Sequence, residues 1–424
     1  MTGNPDSSAA SLPSLAGVAW LAARPTTEVM AALRAAGHEG RVVGGCVRNA
    51  LMGLPVTDID IATDAVPSDV VRICATAGLE TIPTGLAHGT VTVVVDRTPI
   101  EVTTLRRDVD TDGRHATVAY TADWAEDARR RDFTMNALYA DANGRLHDPV
   151  GGYPDLLARR VRFIGDPDAR IREDYLRILR FFRFFATYAL GDADPGALAA
   201  CARGIGGLSR LSAERVRAEI VKLLAAPRAV DAIRAMGGVG LLPPLLGAAP
   251  RPGVFAAVAE TEASFARPPD AMLRLSALAI AVVEDIPRLA DRLRLSNAER
   301  RDLLAVDGHI PGISDEPIAA RHARRLVYRT GTDGARRLAL ALAATAPSRR
   351  PEAELLCEIA TTWAAPSLPV GGADVVAGGM APGPAIGRLL RDIEEWWIAE
   401  DFPEPAAVRR RLADVLADAG TRST

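Results

Sequence analysis

The feature that most limits how this chain folds is a change of period near residue 169. Before it, short β-branched runs alternate with helical stretches; after it, almost everything reads as helix. "TEVMAALRAAG" reads as a short helix closed by Gly37. "GRVVGGCVRNALMG" reads as a strand, a Gly-Gly turn and a helix opening around Val47. "VTDIDIAT" is a strand, and "PSDVVRICATAG" a helix with Ser68 at its N-cap. "GTVTVVVD" and "PIEVTTLR" are strands around a turn. Alternation of this kind predicts a compact α/β unit over 27–150, built on a mixed sheet. Residues 1–26 are expected to be an N-terminal extension whose first 13 residues, rich in Ser, Ala and Pro, would be loose. The helical part is punctuated by "GDADPG", "GGVGLLPP" and "GGADVVAGGMAPGP", with no repeat of 20–50 residues.

At 424 residues the chain is too long for one ordinary core, and two to four domains are expected. Its net charge of −3 excludes a global positive field, so any nucleic-acid surface must be local. Lys222 is the only lysine, and every other basic side chain is arginine. That usage suits bidentate phosphate contacts, or simply follows a GC-rich coding sequence. Cys46, Cys74, Cys201 and Cys357 show no CxxC spacing, which fits a reducing compartment and argues against zinc. No apolar run reaches the ~18 residues of a membrane span. The first basic residue is Arg24, too late for a secretory n-region. The expectation is a soluble, cytoplasmic protein.

Chemistry concentrates in a few segments. In "PVTDIDIAT", Asp58 and Asp60 fall on one strand face, where like charges repel. Either the face is solvated, or a hard cation such as Mg²⁺ removes the repulsion. About ten residues upstream, Gly44 and Gly45 open a helix that carries Arg48, a layout that lets backbone amides and a guanidinium meet phosphates. Glu101, between Ile100 and Val102, either joins the pair or faces solvent. "RRRDFTMNALYAD" brings Arg131 before an apolar run. In "EDYLRILRFFRFF", Arg177, Arg180 and Arg183 recur every three residues on an arc of about 120°, opposite Ile178, Leu179, Phe181, Phe182 and Phe185. Asp174 is within reach of Arg177, three residues on.

Together these segments resemble the class II tRNA nucleotidyltransferase and poly(A) polymerase family, most nearly its bacterial CCA-adding members. "GGCVRN…DIDIAT", "RRDFTMNAL", "DPVGGYPDL", "EDYLRILRFFRF" and "LSAERVRAEIVKLL" match five family motifs in family order across roughly residues 40–225. The sequence departs from many relatives at Asn49, where they carry aspartate, and shows no HD-type hydrolase motif. The resemblance implies an α/β nucleotidyltransferase head at 27–150, a helical, nucleotide-selecting neck at 151–225 and a helical, tRNA-binding body and tail at 226–424. "DPVGGYPDL" would be the hinge between head and neck. The segment 106–128, with Gly113, would be a flexible loop.

The implied reaction is attack of an RNA 3′-hydroxyl on the α-phosphate of CTP or ATP, with release of pyrophosphate and no nucleic-acid template. Asp58 and Asp60 would hold two metal ions, one activating the hydroxyl and the other steadying the leaving pyrophosphate, with Glu101 as a third catalytic carboxylate. Gly45, Arg48 and Arg131 would cradle the triphosphate. Asp174 and Arg177 would read the base, and Arg180 and Arg183 would support phosphate binding. Rival readings are a poly(A) polymerase, an enzyme adding only CC or only A, a catalytically silent RNA-binding protein on the same scaffold, and a small-molecule nucleotidyltransferase.

Overall fold

The computed structural model describes residues 12–86, 89–111, 116–307 and 317–421. The chain forms two compact units, 1–245 and 246–424.

The first unit holds a seven-stranded mixed sheet in the order β3-β4-β5-β2-β1-β8-β9. Its strands are β1 (Gly40–Val43), β2 (Asp60–Thr63), β3 (Glu80–Gly85), β4 (Thr90–Val95), β5 (Thr98–Thr104), β8 (Tyr139–Ala140) and β9 (Leu146–His147). β6 (Arg106–Thr111) and β7 (Ala116–Tyr120) make a separate two-stranded ribbon. Gly113, central to the expected flexible loop, lies outside the described residues.

Alternation decides which face each strand buries. Val91, Val93, Ile100, Val102 and Ile61 point inward and are fully buried. Thr92 and Glu101 are paired across β4 and β5, and Asp60 faces Glu101 across the parallel β2–β5 pair, so all three share the opposite face. The helices Arg24–Ala35 and Pro67–Thr76 contact β4 and β5.

Three local expectations are corrected. β2 begins at Asp60, so Asp58 precedes the ladder and is exposed, and Ile59 is only half-buried. The helix after the glycine pair opens at Gly45, with Gly44 as its N-cap. Ser68 is not a cap: Pro67, which needs no amide partner, takes the first helical position, and the N-cap is Val66.

Among the described residues no strand follows His147. The turn from sheet to helices is fixed by "DPVGGYPDL". Asp148 accepts from the amides of Gly152 (2.7 Å) and Tyr153 (2.9 Å). A Cβ at Gly152 would lie 2.1 Å from the Thr134 carbonyl oxygen, so only glycine fits there. Helices Pro167–Glu173, Leu176–Tyr188 and Ala213–Leu224 follow. "EDYLRILRFFRFF" is therefore not one helix: Asp174 is extended (φ −152°, ψ 108°) and separates two.

The helix Leu176–Tyr188 is anchored by its apolar face, with Ile178, Leu179, Phe181, Phe182, Phe184 and Phe185 all buried. Phe133 packs at a tilt against Phe163 (5.0 Å between ring centroids) and Phe184 (4.9 Å), tying the helix to the segment "RRDF".

The second unit is all helical in its described residues. Its longest helix, Ala320–Thr345, bends at Gly331 (φ 74°). Leu326, Leu338, Leu342, Leu356 and Ile359 form one of its cores, and a second gathers Val375, Ile393, Trp397 and Val408. A buried pair, Arg274–Glu262 (2.6 Å), crosslinks two of its helices.

Candidate active site

A cavity of about 900 Å³ opens in the first unit, a volume suited to a nucleotide-sized ligand. The candidate site residues read from the sequence line it: Gly44, Gly45, Arg48, Asp58, Asp60, Glu101, Arg131, Asp174, Arg177, Arg180 and Arg183.

One wall is acidic. Asp60 and Glu101 sit side by side in parallel register, and the Glu101 amide donates to the Ile59 carbonyl (3.2 Å). Burial, with the charges of Glu101 and Asp58, raises the Asp60 carboxyl to about 6, although Arg131 pulls the other way. Oxygen donors on one face, one of them destabilised by its anionic neighbours, suit a hard divalent cation. Among the described residues no three His, Cys, Asp or Glu side chains are grouped so as to hold an ion by themselves. A cation held here would complete its shell from water or substrate oxygens.

The glycine corner forms the adjoining wall. Gly44 has φ +75°, open to glycine at little cost, and a Cβ there would stand 3.6 Å from Arg131 Nη1. Arg48 is buried, its guanidinium donating to Asn136 Oδ1 (2.5 Å), Tyr188 Oη (2.8 Å) and Asn49 Oδ1 (2.9 Å). Asn49, the departure from the aspartate of many relatives, thus places a neutral acceptor beside Arg48.

"RRRDFTMNAL" supplies the cavity floor. Asp127 is buried and takes Arg130 (2.7 Å), Arg131 (3.0 Å) and the Tyr139 hydroxyl (2.8 Å). Burial works against the Arg131 charge, but Tyr139 and Asp127 more than offset it and hold its pKa above the ordinary value. Asp132 accepts from Arg180 (2.5 Å), Asn136 (2.9 Å) and the Phe133 amide (2.8 Å). Asn136 therefore links Asp132 to Arg48, and one network spans three motifs.

The opposite wall carries the arginine stripe. Arg177 does not pair with Asp174. It donates to Glu173 (2.5 Å), four residues back, and to the Arg170 carbonyl (2.9 Å). With Asp174 outside both helices, the one-turn partner of Arg177 on the preceding helix is Glu173. Asp174 instead takes Arg215 from the helix Ala213–Leu224 (2.6 Å) on one oxygen and the Leu176 amide (3.0 Å) on the other. Arg183 pairs with Glu219 of that same helix (2.5 Å).

Sequence reasoning missed several of these side chains. Glu173 carried a usable signal, because i,i+4 spacing to Arg177 is at least as favourable as the i,i+3 spacing of Asp174. Asp132 and Asn136 lay inside a quoted motif. Arg215, Glu219 and Lys222 lay inside the quoted "LSAERVRAEIVKLL" and, like Tyr188, reach the site only through packing of two helices.

Comparison with known proteins identifies the family. The model of the poly A polymerase head domain matches residues 40–162, and that of the probable RNA and SrmB-binding site of polymerase A matches 194–254. The chain is 35% identical over 383 residues to mouse (Mus musculus) mitochondrial CCA tRNA nucleotidyltransferase 1, covering 85% of this chain and 83% of that protein. It is 41% identical over 207 residues to the CCA-adding enzyme of Geobacillus thermodenitrificans, covering 48% and 50%. The structure of the Bacillus stearothermophilus CCA-adding enzyme in complex with CTP superposes with a TM-score of 0.72 at 27% identity, covering 94% of this chain and all of that one. The fold is also that of the Thermotoga maritima CCA-adding enzyme complexed with tRNA (TM-score 0.63, 19% identity, 92% and 94% covered). Among the described residues no helix is long and apolar enough to cross a membrane. The chain belongs to the CCA tRNA nucleotidyltransferase family.

Proposed function

We propose that the protein adds CMP and AMP, from CTP and ATP, to the 3′ end of tRNA without a nucleic-acid template. The observation that carries this reading is the cavity itself: a carboxylate wall and an arginine wall that ends in a doubly held aspartate. In this reading residues 27–150 are the catalytic head, 151–225 the nucleotide-selecting neck and 226–424 the body and tail that take tRNA. The protein acts in the cytoplasm.

Asp58 and Asp60 would hold Mg²⁺, with Glu101 beside them. Two such cations would supply the chemistry, one lowering the pKa of the attacking hydroxyl and the other stabilising the charge that builds on the leaving pyrophosphate. Gly45, Arg48 and Arg131 hold the triphosphate, and their own hydrogen bonds keep them fixed before substrate arrives. Arg180 and Arg183, paired with Asp132 and Glu219, present their remaining donors to phosphate oxygens. Asp174 accepts from the amino group that cytosine and adenine carry and uracil lacks, while Arg177 donates to the neighbouring acceptor.

The test is incubation of purified protein with a tRNA transcript that ends at the discriminator base, with each nucleotide alone and in pairs. CTP alone should extend it by CMP, and AMP should follow only after CMP. Long tails from ATP alone would indicate a poly(A) polymerase, and a stop after CMP a CC-adding enzyme. No extension with any nucleotide would sink the proposal.

Two further outcomes are expected. Asp174→Ala should lose discrimination against UTP and GTP by about tenfold or more, at ~1.4 kcal/mol per decade. Arg215→Gln frees one Asp174 oxygen and should move the same ratios in the same direction. The measurement is kcat/KM for four nucleotides on one truncated tRNA. A uniform drop at constant ratios would show that these groups only brace the helix.

With a net charge of −3, tRNA binding must rest on local cationic patches. Affinity should fall steeply between about 50 and 200 mM salt, by about tenfold or more. A flat titration would point away from a nucleic-acid acceptor.

A further inference from the structure

Lys222 is the only lysine of the chain and lines the cavity from the neck helix Ala213–Leu224. The cavity's other cations are already engaged. Arg130 and Arg131 share Asp127, Arg177 faces Glu173, Arg180 faces Asp132, Arg183 faces Glu219, and Arg48 is held by neutral oxygens. Lys222 is exposed and, among the described residues, has no carboxylate partner. Glu219, one turn before it and its natural i,i+3 partner, is taken by Arg183.

Its position follows from the packing of two helices. Arg215 meets Asp174 and Glu219 meets Arg183, so the neck helix and Leu176–Tyr188 run in the same direction at their contact. Extending that register by one turn carries Lys222 toward the last turn of the arginine helix, where Tyr188 and Arg48 also line the cavity. This is the end remote from Asp174.

We infer that the Lys222 ammonium binds a phosphate of the substrates at the end of the cavity opposite the base-reading aspartate. An ammonium is a compact point charge suited to phosphate whatever its angle of approach, where the fixed arginine forks demand one geometry. The phosphate belongs to the nucleotide's triphosphate tail or to the backbone of the acceptor RNA. The inference rests on the proposed function, and its test separates the two.

A lone lysine makes the test direct. Acylating the protein with an amine-selective reagent labels Lys222 and the N-terminus only, and peptide mass spectrometry reads each. Protection of Lys222 by CTP with Mg²⁺ assigns the triphosphate, and protection by tRNA lacking its 3′ CCA assigns the RNA backbone. Neither measurement requires turnover. Steady-state assays of Lys222→Gln and Lys222→Arg accompany it, with wild-type incorporation measured in the same samples.

If the triphosphate is the ligand, Lys222→Gln raises KM for CTP and ATP alike by about threefold to tenfold. If the RNA is, the slope of log Kd against log salt falls by about one. Lys222→Arg restores most of either loss. Absence of protection by both substrates, or protection with unchanged KM and salt slope in Lys222→Gln, overturns the inference. An inactive wild type whose Lys222 is still protected would count against the proposed function and leave this inference standing.

Discussion

Asp58→Ala and Asp60→Ala should each lower nucleotide incorporation by about three decades or more, equivalent to ~4 kcal/mol or more of transition-state stabilisation. tRNA affinity should stay near wild type, because neither carboxylate carries the positive charge that RNA binding needs. The physical case is strongest at Asp60. It is the one of the three acids that lies within β2, it faces Glu101 in register, and burial with that neighbour raises its carboxyl to about 6. The cation-free protein therefore holds a proton there below about pH 6, and a divalent cation must displace it. Activity at limiting Mg²⁺ should fall as pH drops through 6, and added Mg²⁺ should move that midpoint downward. Asp58, exposed and ahead of the strand, is freer to reorient, so Asp58→Glu should retain more activity than Asp60→Glu. More than about a tenth of wild-type activity in either alanine variant would remove that residue from the metal site.

What was legible in the sequence was what repeats locally. Alternation placed Glu101 on the face opposite Ile100 and Val102, and the parallel register bears this out by setting it beside Asp60. Helical periodicity separated the buried phenylalanines of 176–188 from its arginines. Local backbone choices were less legible. In "EDYLRIL" the one local sign is Asp174 itself, a residue type favoured just before a helix starts but equally tolerated inside a first turn. The break follows from tertiary demands: Asp174 caps Leu176 and takes Arg215, some forty residues ahead. Pairings at that separation leave no trace in spacing. The same holds for Arg183 with Glu219 and Arg48 with Tyr188. The site's components were therefore readable one by one, and their mutual bracing was not.

The second large effect should be on stability. Asp132→Ala removes the carboxylate that Arg180, Asn136 and the Phe133 amide share, deep in the first unit. Burial alone would push this carboxyl up, but Arg180, Asn136 and that amide reverse the effect and hold it below the ordinary carboxylate value. Removing it leaves Arg180 beside the cavity without its main partner, and the Asn136 amide without its acceptor. Asp132 is buried but the Arg180 side chain is 32% exposed, so the cost should lie between the ~1 kcal/mol of a surface pair and the ~3–5 kcal/mol of a buried one, and the first unit should unfold at lower urea. Adding Arg180→Met to Asp132→Ala should recover part of the loss, because the second change removes the orphaned charge. The pH dependence has a definite sign. The folded pKa is depressed, so between it and the unfolded value of about 3.9 the unfolded chain binds more protons. The stabilisation is fully present above about pH 4 and disappears as pH falls through the folded pKa. The advantage of wild type over Asp132→Asn should therefore be constant from pH 5 to 8 and shrink only in acid. An advantage that already shrank between pH 8 and 5 would show that another group carries the effect. A loss below about 1 kcal/mol in Asp132→Ala would show that water replaces the carboxylate and that the network linking Arg180 to Arg48 through Asn136 is not held at this point.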